Sequence, residues 1–97
     1  MSQGGWVYIM TNKPGGTLYI GVTTDIVARI HQHREGKGSK FCKRYNLTRL
    51  AYVEEAPTIL EAIAREKAMK AWKREWKIGL IESFNPEWRD LTDEMIG

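Results

Sequence analysis

Residues 6–22 run Trp6-Val7-Tyr8-Ile9-Met10-Thr11-Asn12-Lys13-Pro14-Gly15-Gly16-Thr17-Leu18-Tyr19-Ile20-Gly21-Val22. The two flanks are rich in β-branched and aromatic residues. The segment between them carries turn chemistry, since Pro14 presets φ while Gly15 and Gly16 permit φ > 0. The stretch reads as a β-hairpin. Side chains alternate across a strand, so Val7 and Ile9 share one face, as do Leu18, Ile20 and Val22. With those faces turned to the core, Tyr8 and Tyr19 point together to the other side. Gly21 lies beside them and leaves room for a backbone or a ligand. Two phenols beside a gap can form a site. An ordinary cross-strand aromatic pair also accounts for them.

Outward from the hairpin, Thr24 or Asp25 can cap a helix that runs to about Arg34. Gly36 and Gly38 break the chain, and Ser39 can cap a short helix through Phe41, Cys42 and Tyr45. Leu50-Ala51-Tyr52-Val53 is a third strand. Pro57 and Thr58 open the longest helix, about 58–72, and a further helix spans about 73–83 until Asn85-Pro86 ends it. The order β-β-α-α-β-α-α implies an α+β fold, with a small, mainly antiparallel sheet against helices. No repeat or low-complexity segment interrupts it.

The chain has 97 residues, 42% hydrophobic and 28% charged, and one domain spanning 1–97 is expected. No apolar run approaches the ~18 residues of a membrane span. No secretory signal is expected at the N-terminus. Cys42 is the one cysteine, so an internal disulfide and a cysteine-rich zinc cluster are both excluded, and a reducing, cytoplasmic setting is expected. Net charge is +3, but its distribution is uneven. Residues 26–50 hold seven basic side chains against Glu35, and residues 65–78 hold six against Glu66 and Glu75. The last nineteen residues carry five acids against Arg89. Two basic segments and an acidic tail suit a polyanion approaching one side; solvated helix faces are the plainer account. Lys37, Lys40, Lys43, Arg44 and Arg49, with no acid among them, are the candidate nucleic-acid contacts.

Three further positions can carry chemistry. Arg29 and His33 are spaced i,i+4 beside the stripe Ile26, Val27 and Ile30. Arg binds phosphate bidentately, and His moves protons near neutral pH; a packed arginine stem and a surface histidine would look the same. Glu66 occupies the i+7 place on the stripe Ile59, Ala62, Ile63 and Met69. A carboxylate there requires a cation to offset its desolvation. Lys70, four residues on, can supply one, and so can a metal ion. Asn85, before Pro86, suffices as a turn or cap residue.

Trp6-Val7-Tyr8, followed after ten residues by Tyr19-Ile20-Gly21, resembles the paired tripeptides of the GIY-YIG nucleases. The second tripeptide matches strictly; the first keeps its tyrosine and replaces Gly by Trp and Ile by Val. Arg29, His33, Glu66 and Asn85 follow in the family's order, so the resemblance covers nearly the whole chain. It is nearest in style to small stand-alone bacterial members similar to the N-terminal nuclease domain of the excision-repair endonuclease. The resemblance implies a three-stranded antiparallel sheet flanked by helices. It implies a metal-dependent endonuclease that hydrolyses phosphodiester bonds of DNA in repair or processing, with RNA also open as substrate. One divalent ion, Mg²⁺ or Mn²⁺, would sit at Glu66, with water activated beside Tyr8 or Tyr19 (Tyr8 the favoured base, Tyr19 positioning), His33 relaying a proton, Arg29 on the phosphate and Asn85 in support. A non-catalytic nucleic-acid-binding module on the same fold is the main alternative, and a structural or protein-binding domain is a third. A protein partner could direct so small a nuclease to its substrate.

Overall fold

The computed structural model describes residues 4–96. Three strands form one antiparallel sheet: β1 (Gly5–Thr11), β2 (Leu18–Thr23) and β3 (Arg49–Ala56), in the order β2-β1-β3. The helices are α1 (Ile26–Arg34), α2 (Lys40–Tyr45), α3 (Ile59–Ala71), α4 (Arg74–Phe84) and α5 (Thr92–Ile96). The α+β architecture expected from the sequence is what forms. No described helix is long and apolar enough to cross a membrane.

The helix starts follow local chemistry. Asp25 accepts from the Ala28 backbone N–H at the start of α1, and Ser39 accepts from those of Phe41 and Cys42 at the start of α2. Thr58 accepts from the Glu61 N–H at 3.2 Å, and its hydroxyl donates to the Glu61 carboxylate at 3.3 Å, which opens α3. Each such cap stabilises its helix by about 1 kcal/mol.

The sheet is covered on both sides, whereas alternation in the hairpin alone implies one core face. Val7, Ile9 and Ile20 pack with Ala62, Met69 and Ile81 of α3 and α4. On the opposite face Tyr8 and Met10 pack with Ile26, Ile30, Cys42, Leu47 and Leu91. The central strand is therefore buried on both faces, and Tyr8 is 1% exposed. The expected gap at Gly21 is also absent. Tyr8 and Gly21 are cross-strand partners, and the Tyr8 ring lies where a Gly21 side chain would project. Gly21 makes room for the tyrosine itself, and any Cβ there would collide with the phenol.

The β1–β3 pairing slips by one residue, from Ile9↔Tyr52 to Met10↔Leu50, leaving Ala51 as a bulge. Asn85 fills the hydrogen-bonding gap: its amide donates to the Ala51 carbonyl at 3.1 Å and to the Arg89 carbonyl at 2.8 Å, while its oxygen accepts from the Arg89 N–H at 3.0 Å. The chain then runs along β3. The Leu91 N–H bonds the Leu50 carbonyl at 2.8 Å, and Asp90 accepts from the Leu50 N–H at 3.1 Å. Arg49 donates to the Trp88 carbonyl at 2.9 Å.

Candidate active site

Four of the six residues singled out for catalysis meet on the α1–α2 side of the sheet. Tyr8 comes from the central strand, Tyr19 from edge strand β2, and Arg29 and His33 from α1. The three rings form a triangle with centroids 6.4 Å (Tyr8–Tyr19), 5.6 Å (Tyr8–His33) and 6.0 Å (Tyr19–His33) apart. The Tyr8 hydroxyl lies 3.1 Å from His33 Nε2. His33 is buried, pressed by the backbone at Gly38, where a Cβ would stand 2.5 Å from Nδ1. Gly36, in the same connection, takes φ +75°, which closes α1 and turns the chain toward α2.

Among the described residues, two polar atoms in this cluster are buried without a hydrogen-bond partner: Arg29 Nε and His33 Nδ1. Elsewhere on the guanidinium, Arg29 Nη1 donates to Gln32 at 3.2 Å. Such orphaned groups normally cost about 1–3 kcal/mol each. Two such atoms on neighbouring turns of α1 are free to bond a ligand that supplies acceptors and charge.

Electrostatics fit this arrangement. Burial pushes the Tyr8 phenol up to about 12, against the opposing pull of the Arg29 charge. Burial, with the Arg29 charge second, holds His33 below its ordinary range. Near neutrality the pair is therefore a neutral phenol beside a neutral imidazole. A histidine that is harder to protonate folded than unfolded makes stability depend on pH. Below about 6.5 the unfolded chain takes up more protons. The stability linked to His33 is thus intact above that pH and is lost as pH falls toward the lowered folded value. We expect the melting temperature of the wild type to fall more steeply from pH 7 to pH 5 than that of His33→Gln. Parallel curves would contradict it.

Glu66 lies on α3, on the other side of the sheet. Its side chain is 13% exposed and pairs with Lys70 at 3.5 Å. Lys70 lines an open cleft with Leu18, Tyr19, Ile20, Phe41 and Lys77, and Glu66 is linked to that cleft through its ion pair with Lys70. Among the described residues no three His, Cys, Asp or Glu side chains converge as a ready-made metal cage. A lone carboxylate paired only with an exposed lysine still fits Mg²⁺, which is commonly bound through one or two carboxylates; Glu66 would hold it and the ion would supply charge to a substrate phosphate.

Asn85 is not brought to this cluster. Its amide is spent on the backbone at β3, the opposite edge from β2. Of the candidate nucleic-acid contacts, Arg49 is committed to the Trp88 carbonyl and Lys37 pairs with Glu35 at 3.6 Å. Lys40, Lys43 and Arg44 stand exposed on α2. Phe41 of α2, 41% exposed, stacks on Tyr19 at 6.1 Å and meets Tyr45 at 4.8 Å. Sequence reasoning gives Phe41 a place in a helix but no role, and counts Lys77 only as one charge among several. The i,i+4 aromatic spacing of Phe41 and Tyr45 is the signal that could have found the first.

Comparison with known proteins identifies what the chain is similar to. The family model described as the GIY-YIG catalytic domain matches residues 4–79. A UPF0213 protein of Staphylococcus haemolyticus is 39% identical over 77 residues, covering 79% of this chain and 93% of that one. A Staphylococcus epidermidis counterpart is 36% identical over the same coverage. The UPF0213 protein of Bacillus halodurans, solved by NMR in solution, superposes with a TM-score of 0.58 at 31% identity, covering 93% of this chain and 95% of that one.

Proposed function

The chain belongs to the GIY-YIG catalytic-domain family, a nuclease family, and from that premise we propose that it is an endonuclease hydrolysing phosphodiester bonds of DNA with one divalent cation, Mg²⁺ or Mn²⁺. DNA repair or processing in a reducing cytoplasm is the setting we infer. The observation that carries the reading is the pair of orphaned polar atoms, Arg29 Nε and His33 Nδ1, beside the Tyr8–His33 contact.

In this mechanism Arg29 takes the scissile phosphate, offering its unpartnered N–H and a full charge to the negative oxygens. With its phenol held near 12, Tyr8 stays protonated near neutrality and does not act alone as base. It acts through His33: as water attacks phosphorus, the water proton passes to the Tyr8 oxygen and the Tyr8 proton passes to Nε2. The new P–O bond forms while the bond to the leaving oxygen breaks; that oxygen takes a proton from solvent water, and the imidazolium later returns its own proton to solvent. The imidazolium so formed is disfavoured by burial, and the phosphate charge beside it offsets that cost. Tyr19 lines both the ring triangle and the cleft, and orients the attacking water. Glu66 would hold the cation, which when bound polarises the phosphate and neutralises developing charge. Lys40, Lys43 and Arg44 would track the backbone, giving affinity without sequence choice.

Pure protein incubated with labelled duplex, flap, branched and unpaired DNA, and with RNA, tests the reading. Cleavage of at least one DNA with Mg²⁺ or Mn²⁺, abolished by chelator, is expected. Binding without cleavage under every condition would replace the enzyme by a non-catalytic nucleic-acid-binding module.

A further inference from the structure

Lys70 stands between two places with different chemistry. Its ammonium pairs with the Glu66 carboxylate at 3.5 Å, and its side chain forms a wall of the cleft containing Tyr19, Phe41 and Lys77. The two partners are unequal. Glu66 is 13% exposed and Lys70 is 53% exposed, so the carboxylate is the buried member of the pair and the lysine the solvent-facing one. Lys77 reaches toward the same place from α4, its ammonium donating to the Lys70 carbonyl at 3.3 Å. A second positive charge thus stands at the cleft while the first is held back by Glu66.

We propose that Lys70 is an exchangeable counter-ion: a cation entering at Glu66 displaces it, and the freed ammonium turns into the cleft to bind a substrate phosphate beside Lys77. The inference rests on the assignment of Glu66 as the metal-holding residue. Its logic is charge balance. The desolvated carboxylate needs one cation at all times, because an uncompensated charge there is costly. Without metal, Lys70 fills that need and is withheld from the substrate. With metal, the need is met, and a four-carbon stem ending in three rotatable donors is well suited to swing to a phosphate. Metal and nucleic acid then assist each other's binding through one side chain, and the coupling is reciprocal. Lys70 is a positioning and substrate-binding residue in this scheme.

The test is the salt dependence of binding by Lys70→Met and wild type to one labelled DNA, measured by fluorescence anisotropy with Ca²⁺ in place of Mg²⁺ and again with chelator. Removing one lysine–phosphate interaction makes the slope of log K against log salt shallower by ~0.9 on duplex and ~0.7 on single strands. With Ca²⁺, Lys70→Met should be shallower than wild type by about one such interaction; with chelator the two slopes should coincide. Equally shallow slopes under both conditions would make Lys70 a constant phosphate ligand. Unchanged slopes under both would leave only a helical i,i+4 pair. Either result overturns the proposal. Methionine keeps the apolar stem and the helix propensity, and Lys70→Gln provides the same comparison should Lys70→Met not fold. Glu66→Gln separates the underlying assignment: its DNA affinity should not respond to Ca²⁺. A wild-type response there would place the metal elsewhere and overturn the functional reading and this inference together, whereas a silent Glu66→Gln with unchanged Lys70→Met slopes would overturn this inference alone.

Discussion

Arg29→Lys should cleave DNA on the order of 10²–10³-fold more slowly than wild type, the equivalent of ~3–4 kcal/mol of transition-state stabilisation. Lysine keeps the charge and much of the aliphatic stem. It lacks the planar fork that presents two N–H groups to two phosphate oxygens. The fold should hardly notice. The side-chain bond from Arg29 to Gln32 is exposed, and the buried Nε satisfies nothing among the described residues, so removing it relieves a desolvated donor. Single-turnover cleavage, thermal unfolding and DNA binding on one sample separate the cases. A rate within about twofold of wild type, or a fall in rate that follows unfolding, would make Arg29 a packing residue and undercut the nuclease mechanism.

Glu66→Gln should have the larger effect. A catalytic metal supplies several kcal/mol of charge stabilisation, on the order of 10³-fold in rate or more. An amide oxygen in place of the carboxylate cannot hold the ion electrostatically. Affinity for DNA should persist or rise without metal, because one negative charge is removed beside the cleft and Lys70 loses its ion-pair partner. The helix should survive, since an i,i+4 pair of this kind contributes only ~0.2–0.5 kcal/mol. Undiminished turnover by this variant at limiting Mg²⁺ would refute the assignment of Glu66.

Much of the frame was legible because it is written in local chemistry. The hairpin follows from alternation around Pro14-Gly15-Gly16, and the starts of α1, α2 and α3 follow from Asp25, Ser39 and Thr58. The hairpin register puts Tyr8 and Tyr19 on one face, as alternation required. Other features depend on neighbours distant in sequence. That Gly21 is filled by Tyr8 depends on cross-strand pairing. Asn85 had a sufficient local explanation as a turn residue, yet its amide is claimed by a bulge 34 residues away, which no spacing rule marks. Arg49 counted as a free positive charge in the sequence, but its guanidinium is spent on the Trp88 carbonyl. The short helix α5 carries too few apolar positions for a periodic signal, and it forms where Leu91 anchors the chain in the core.

The segment from Asn85 to Leu91 has a consequence for solubility. A three-stranded sheet has two rims, and an open rim invites pairing with another chain. Along β3 that invitation is withdrawn at Leu50 and Ala51, whose outward backbone groups are taken by Asp90, Leu91 and Asn85. The family model matches residues 4–79, and the stretch that closes this rim follows that span. The proposed catalytic groups and the closure of this rim come from different parts of the chain. The acidic tail contributes to the second task, with Asp90 bridging the Leu50 amide and Arg34.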